Sequence, residues 1–384
     1  MGGKVEKCIY CRENKKESEF SLEHVIPQFL GGVLVSDMLK TRKVCKQCNN
    51  NLGLFVDASF EKDWIFHNYL NQEFRDFYEP NNSNGLPLSY MGIDTLIPPH
   101  IDVGDVCEVW LGSLGEIVYL IRSNDDRLYW YAGGNPRTAK TLSSVAYFFF
   151  SERSLKNPKL SLNTFLSAFK GKKVRRIVGS KISGIDLVRL GFNEPNDIDK
   201  DRIDFFLENL SCKRQLKYSK YIHSDKRFIA KLGIGLLNCL FPYSHFQNDY
   251  LEEMYKMLWY RNGECLPRLR GCIDADKNLK ILLGVPSGIT IAVMQSGTSI
   301  VMSLNIAQKL HWIIKCAGVE ELDYRDRAIL NNGGRVFIIY RALGEYIEMS
   351  MDELILHKTN SCLHKNLQEV ELILEQRKDY FRKL

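Results

Sequence analysis

Cys8-Ile9-Tyr10-Cys11 and Cys45-Lys46-Gln47-Cys48 bracket Glu23-His24-Val25-Ile26-Pro27, and the second pair runs on into Asn49-Asn50-Asn51-Leu52-Gly53. Each Cys-x-x-Cys turn can present two thiolates, and four such sulfurs satisfy a tetrahedral Zn2+ with no open position, so the spacing reads as a structural zinc site at Cys8, Cys11, Cys45 and Cys48. Redox disulfides are the other use of paired cysteines. A chain that opens without a secretory signal is expected in a reducing compartment, where such knuckles favour metal. The chain between the knuckles, Arg12 to Val44, is longer than the roughly 15 to 20 residues of a simple zinc ribbon, so it must form something of its own.

That inserted chain reads as a short strand from Phe20 that Pro27 stops, followed by Gln28-Phe29-Leu30-Gly31-Gly32, a loop whose paired glycines permit unusual backbone angles. His24 is therefore expected at a strand end, facing a loop. After the second knuckle, Leu52, Phe55, Val56, Phe60, Trp64 and Ile65 recur at helical spacing, which predicts one helix from Asn49 to about Leu70. Asn49 then lies at or near the helix N-terminus, where free N–H groups and the positive dipole end also suit a phosphate.

Taken together, Cys-x-x-Cys, an acid-His-Val-Ile-Pro strand, a Gly-Gly loop and Cys-x-x-Cys-Asn-x-x-Leu-Gly, in that order over about residues 1 to 70, resemble the four-cysteine HNH endonucleases of the ββα-metal fold. The resemblance implies a nuclease in which His24 is the general base that takes a proton from water. It implies that Glu23 and Asn49 bind one catalytic divalent cation, Mg2+ or Mn2+, which prefers hard oxygen ligands. The cation would stabilise the leaving 3′ oxygen, giving 5′-phosphate and 3′-hydroxyl ends on a nucleic acid, double-stranded DNA first among them.

One position departs from the family pattern. Members commonly carry a second Asn or His just before the second knuckle, and Val33 to Val44 contains neither; Thr41 or Ser36 could make a weaker version of that hydrogen bond. The departure keeps a second reading open, a non-catalytic zinc-containing nucleic-acid-binding protein with a degenerate HNH site. Asp57 follows Asn49 on a neighbouring face of the same expected helix and reads first as a solvated charge or a partner for Lys62, with a role at the metal as the alternative. His67, beside Phe66 near Trp64, reads as a packed histidine.

Composition bounds the remainder. A chain of 384 residues with 45% hydrophobic content can bury two or three cores. The net charge of +6 suits a polyanion partner without demanding one. Lys40-Thr41-Arg42-Lys43 with Lys46 adjoins the expected site, and Lys170-Gly171-Lys172-Lys173-Val174-Arg175-Arg176 is the densest basic run; each is open to phosphate contact or to simple solvation. No run approaches the ~18 apolar residues of a membrane span, so no membrane partner and a cytoplasmic location are expected.

The fold class expected is α+β: a ββα-metal HNH unit at 1–70, a linker or surface crossing at 71–105, and a larger mixed region at 106–384, dividing near 200–225. β-prone runs lie at Cys107–Leu111, Ile117–Ile121, Leu128–Tyr131, Lys280–Gly284, Ile289–Met294, Ser299–Leu304, Arg335–Tyr340 and Tyr346–Met351. Helical pattern marks Lys226–Leu240, Tyr250–Tyr260 and the tail from Leu363, and weakly Val145–Arg153. Cys107, Cys212, Cys239, Cys265, Cys272, Cys316 and Cys362 lack knuckle spacing and read as structural thiols. His357, Cys362 and His364 could gather as a second metal site but read first as ordinary polar positions. Gly233-Ile234-Gly235 has no preceding strand and is no dinucleotide loop.

A large region without recognisable chemistry is expected to control or target cleavage in response to a small-molecule or protein activator. Bacterial defence effectors that join an HNH nuclease to a sensor offer an analogy of architecture. Cutting both strands is compatible with a homodimer.

Overall fold

The computed structural model describes residues 5–81, 85–124, 144–169, 176–180, 186–261, 264–273 and 276–383. The chain groups into two compact units, each discontinuous in sequence: Met1–Phe60 with Tyr221–Gln376, and Glu61–Lys220 with Arg377–Leu384. This grouping differs from a linear division after residue 70, because the knuckle segment shares its unit with chain that follows residue 220.

The N-terminal stretch holds the hairpin β1 (Val5–Lys7) and β2 (Asn14–Lys16), the antiparallel pair β3 (Phe20–His24) and β4 (Lys40–Cys45), and α1 (Lys46–Leu52). A π-helical stretch (Gly53–Asp57), α2 (Ala58–Lys62) and α3 (Trp64–Asp76) follow. The single helix expected over Asn49–Leu70 is thus interrupted twice. Its turns widen at Gly53–Asp57, and Asp63 starts α3 afresh by accepting from Ile65 N.

In Glu61–Lys220, β5 (Ser89–Asp94), β6 (Asp105–Leu111), β7 (Ile117–Ser123) and β8 (Val145–Phe149) precede α4 (Glu152–Lys156), α5 (Pro158–Phe169), β9 (Arg176–Gly179), α6 (Asp197–Glu208) and β10 (Leu216–Lys217). The sheet order is β10-β5-β6-β7-β8-β9, antiparallel except for the β8–β9 pair. Both faces are covered, since Val118 and Leu120 pack with Phe148 and Phe165 while the alternating Tyr119 and Ile121 pack with Tyr147 and Phe206. β8 is accordingly apolar throughout. Its burial on both sides explains why the weak helical pattern expected over Val145–Arg153 resolves into a strand and the short α4.

Beyond residue 220 come α7 (Ile222–Leu240), α8 (Asp249–Leu258), β11 (Gly271–Ile273), α9 (Lys277–Leu282), β12 (Ile289–Ser296), β13 (Ser299–Ile306), β14 (Leu310–Gly318), β15 (Arg335–Tyr340), β16 (Glu345–Ser350), α10 (Met351–Lys358), α11 (Lys365–Arg377) and α12 (Tyr380–Lys383). The strands form a second sheet, β11-β14-β13-β12-β15-β16, wholly antiparallel. β13 is buried along its whole length. The β-prone run Lys280–Gly284 instead ends a helix, because Asp276 caps α9 by accepting from Asn278 N and Leu279 N. Residues 71–105 carry the end of α3 and the strand β5. The run Leu128–Tyr131 and, but for Arg176, the basic run from Lys170 lie outside the described residues. No helix among the described residues is long and apolar enough to cross a membrane.

The face of α7 that carries Phe228, Lys231 and Gly235, spaced to share one side of a helix, packs on the knuckle segment. Phe228 stacks on Phe60 with ring centroids 4.0 Å apart and lies 5.7 Å from Phe29. Trp312 of β14 closes the cluster at 5.9 Å from Phe60. α8 holds the first knuckle by its backbone: Tyr255 donates to Ile9 O at 2.7 Å and Trp259 to Tyr10 O at 3.0 Å.

Candidate metal and catalytic centre

The four cysteine sulfurs converge. Cys8, Cys11, Cys45 and Cys48 place their Sγ atoms all within 4.8 Å of one another, which fits the donor set of one zinc ion. Backbone N–H groups of Cys45 and Cys48 point at Cys8 Sγ and Cys45 Sγ, at 3.4 and 3.5 Å. The Cys8 thiol is drawn down to about 4, first by the hydrogen bond from Cys48, against the cost of burial. Thiolate is the form that binds metal.

The knuckles are joined through an irregularity between β3 and β4. Ser21 pairs with Val44 but Glu23 pairs with Thr41, so Arg42 and Lys43 together oppose Leu22. The carbonyl of Lys43 accepts from Ile9 N at 3.0 Å, tying the first knuckle to the strand that leads into the second.

Glu23 and His24 stand at the end of β3, where successive side chains leave opposite faces. Glu23 is buried and His24 half-buried. Among the described residues the Nδ1 of His24 is enclosed without a hydrogen bond, and the ring lies near enough to Asp37 to help hold that carboxyl low. Asn49, in the first turns of α1, gives both amide protons to β3, to Leu22 O at 2.8 Å and Ser21 Oγ at 3.0 Å. It makes no hydrogen bond to Glu23, and only its carbonyl oxygen is left to offer a cation. Ser36 and Thr41 spend their hydroxyls locally, accepting from Met38 N and Lys43 N.

The partner of Glu23 comes from far along the chain. Lys231 of α7 brings its Nζ to 2.9 Å from Glu23 Oε1 and 2.5 Å from Asp57 Oδ2, and its side chain is only 3% exposed. Asp57, the last residue of the π-helical stretch, is thus neither a solvated charge nor held by Lys62 but faces the same ammonium as Glu23. Burial raises the pKa of both carboxyls and opposes the charge on Lys231. Attraction to Asp57 and Glu23 wins at the lysine, which is held above its ordinary value and stays protonated. Glu23 Oε1 faces the ammonium at 2.9 Å, and Asp57 Oδ1 is buried without a hydrogen bond. Two hard oxygen donors aimed at a shared positive charge fit a divalent cation.

Among the described residues no other cluster of this kind forms. His357 Nδ1 accepts from His364 N at 3.1 Å, in the turn after α10, and its Nε2 faces Glu371 of α11 at 3.2 Å. His67 packs edge-on to Trp110 with its Nε2 3.2 Å from Leu88 O, as a packed histidine should. Lys231 is the member of this cluster that sequence reasoning misses, although a lone lysine inside the apolar run Phe228–Leu237 must find a charged partner when buried.

Residues 8–65 match the family model described as HNH endonuclease. No curated protein and no solved structure matches the chain. The matched segment covers both knuckles, the Glu23–His24 strand and Asn49, so residues 8–65 of this chain are similar to HNH endonucleases.

Proposed function

We propose that the protein is a divalent-metal-dependent HNH endonuclease that hydrolyses phosphodiester bonds in double-stranded DNA, its remaining chain controlling or targeting the cut. The observation that carries this reading is the placement of His24 at the end of β3, its Nδ1 without a hydrogen bond among the described residues, on a strand that Asn49 secures from α1. A ring so placed can take a proton from water and aim the resulting hydroxide at phosphorus. Glu23, with Asn49 offering its carbonyl, supplies oxygen donors for Mg2+ or Mn2+. That cation, when bound, neutralises charge on the transition state and stabilises the leaving 3′ oxygen. The zinc quartet fixes both knuckles, and exposed Arg42, Lys43 and Lys46 beside them suit a phosphate backbone. A small-molecule or protein activator, a homodimer and a cytoplasmic defence role complete the proposal by analogy of architecture.

The test is incubation of purified protein with plasmid and linear DNA and Mg2+ or Mn2+, with His24→Ala in parallel. Metal-dependent cutting that the variant loses supports the enzyme, and equal cutting by the variant sinks it. The ammonium of Lys231 against Glu23 favours a second reading, a non-catalytic zinc-containing nucleic-acid-binding module. Its signature is DNA retention by both proteins with no cutting at any metal concentration.

A further inference from the structure

Glu23 and Asp57 reach Lys231 from two separate elements, the end of β3 and the end of the π-helical stretch, and the lysine comes from a third, α7. The three meet in a closed setting. Lys231 is 3% exposed, Glu23 5% and Asp57 15% at the side chain, and the Tyr10 ring lies 6.0 Å from Nζ with its own hydroxyl buried and without a hydrogen-bond partner. Two buried polar atoms therefore lack a hydrogen bond around one ammonium, Asp57 Oδ1 and Tyr10 Oη, while Glu23 Oε1 meets that ammonium at 2.9 Å. A lysine placed to be a purely structural counter-ion would be expected to satisfy the carboxylates it joins.

We propose that Glu23 and Asp57 are a cation-binding carboxylate pair and that Lys231 is its exchangeable internal counter-ion, so that a divalent cation and the seated ammonium exclude one another. The proposal deepens the endonuclease reading and rests on it for the choice of cation. Exclusion follows from space and from charge. The ammonium already occupies Glu23 Oε1 and Asp57 Oδ2, at 2.9 and 2.5 Å, and a divalent cation on the same buried oxygens would set two positive centres against each other with little water to screen them. Two carboxylates leave one negative charge against a lysine and none against a divalent ion, so exchange is driven by charge balance once the flexible lysine stem swings away. α7 lies outside the segment that matches the HNH family, so the helix sets how readily the nuclease segment takes up its cation. Asp57 thereby joins the site as a second carboxylate beside Glu23 and the Asn49 carbonyl.

The full chain, zinc in place, is titrated with Mn2+ and free Mn2+ is read by electron paramagnetic resonance. Lys231→Met should bind Mn2+ about tenfold or more tightly than the natural chain, and the gain should vanish in Glu23→Gln/Lys231→Met and Asp57→Asn/Lys231→Met. Affinity in Lys231→Met no higher than in the natural chain overturns the proposal, as does a gain that survives both carboxylate changes. The natural chain gives a reading that needs no variant to fold. Amine acetylation followed by mass spectrometry should find Lys231 protected without Mn2+ and modified at saturating Mn2+, and protection unchanged by Mn2+ overturns the proposal. Neither readout involves cleavage, so exchange without any cutting would sink the endonuclease reading alone, and cutting without exchange would sink this one alone.

Discussion

A Cβ placed on Gly235 of α7 would come within 2.7 Å of Val25 Cγ1 and 2.9 Å of the Tyr10 hydroxyl. Val25 follows His24 directly and is wholly buried. The helix that delivers Lys231 can therefore lie against the strand end only because a side chain is missing one turn further on. The same closeness ties the position of α7 to the backbone that presents Glu23 and His24.

Gly235→Ala should destabilise the protein by about 1 to 3 kcal/mol, the usual cost of overpacking a filled core, despite the better helix propensity of alanine. Gly53 is the internal control. It has ordinary helical backbone angles, and an added methyl group would meet nothing within 4 Å, so Gly53→Ala should gain about 0.4 to 1 kcal/mol. Thermal unfolding of both variants checks the pair, and a stabilised Gly235→Ala would show that α7 is not held at contact distance.

Zinc removal should be difficult and destructive. The quartet joins the turn after β1 to the end of β4 and the first turn of α1, so the ion would contribute on the order of 10 kcal/mol to that segment. Cys45→Ser should lose the metal and the near-ultraviolet signature of the knuckles, whereas Cys107→Ala and Cys316→Ala, buried thiols outside the quartet, should keep one zinc per chain. Elemental analysis of the three variants decides the matter.

What the sequence makes legible is what short spacing controls. The knuckles, the Glu23–His24 strand and the Gly31–Gly32 loop are encoded within a few residues of each other, and Gly32 could carry no side chain, because a Cβ there would meet Ile26 O at 1.8 Å. Strands such as Arg335–Tyr340 are legible because an apolar run of β-branched and aromatic residues leaves little choice. The Lys231–Asp57 contact spans 174 positions, and no local pattern on either element names the other. Asp57 is misread for a second reason. A regular helix turns it onto a neighbouring face, and only the widened Gly53–Asp57 turns bring it to the lysine. α9 is hidden by the opposite effect, an Ile281-Leu282-Leu283 run that looks like a strand until the Asp276 cap is considered.

Asn49 separates two roles that the family pattern merges. Because both its amide protons bond β3, Asn49→Ala should cost about 1 to 2 kcal/mol in stability as well as any activity. Asn49→Asp keeps an oxygen donor but loses the two N–H bonds. If Asn49 serves chiefly to hold the strand, both variants unfold earlier and excess Mn2+ restores neither; full rescue of Asn49→Asp by Mn2+ would assign the residue to the cation instead. Melting curves and cleavage rates across a Mn2+ series read both effects on one sample.

The last prediction concerns the balance of buried charge around Lys231. Removing one partner of a buried ionic cluster leaves uncompensated charge and typically costs about 3 to 5 kcal/mol, while replacing the whole cluster with neutral groups is often close to neutral. Lys231→Met without added cation should therefore be among the most damaging changes in the chain. Adding Glu23→Gln and Asp57→Asn to it should recover most of the loss, because no buried charge then remains without an opposite. Glu23→Gln alone should cost less than Lys231→Met, since the ammonium keeps Asp57 at 2.5 Å. Chemical denaturation of the single, double and triple variants gives the coupling directly. A triple variant no more stable than Lys231→Met would mean that the methylene stem of Lys231, packed in the wall of α7, and not its charge, holds this part of the protein together.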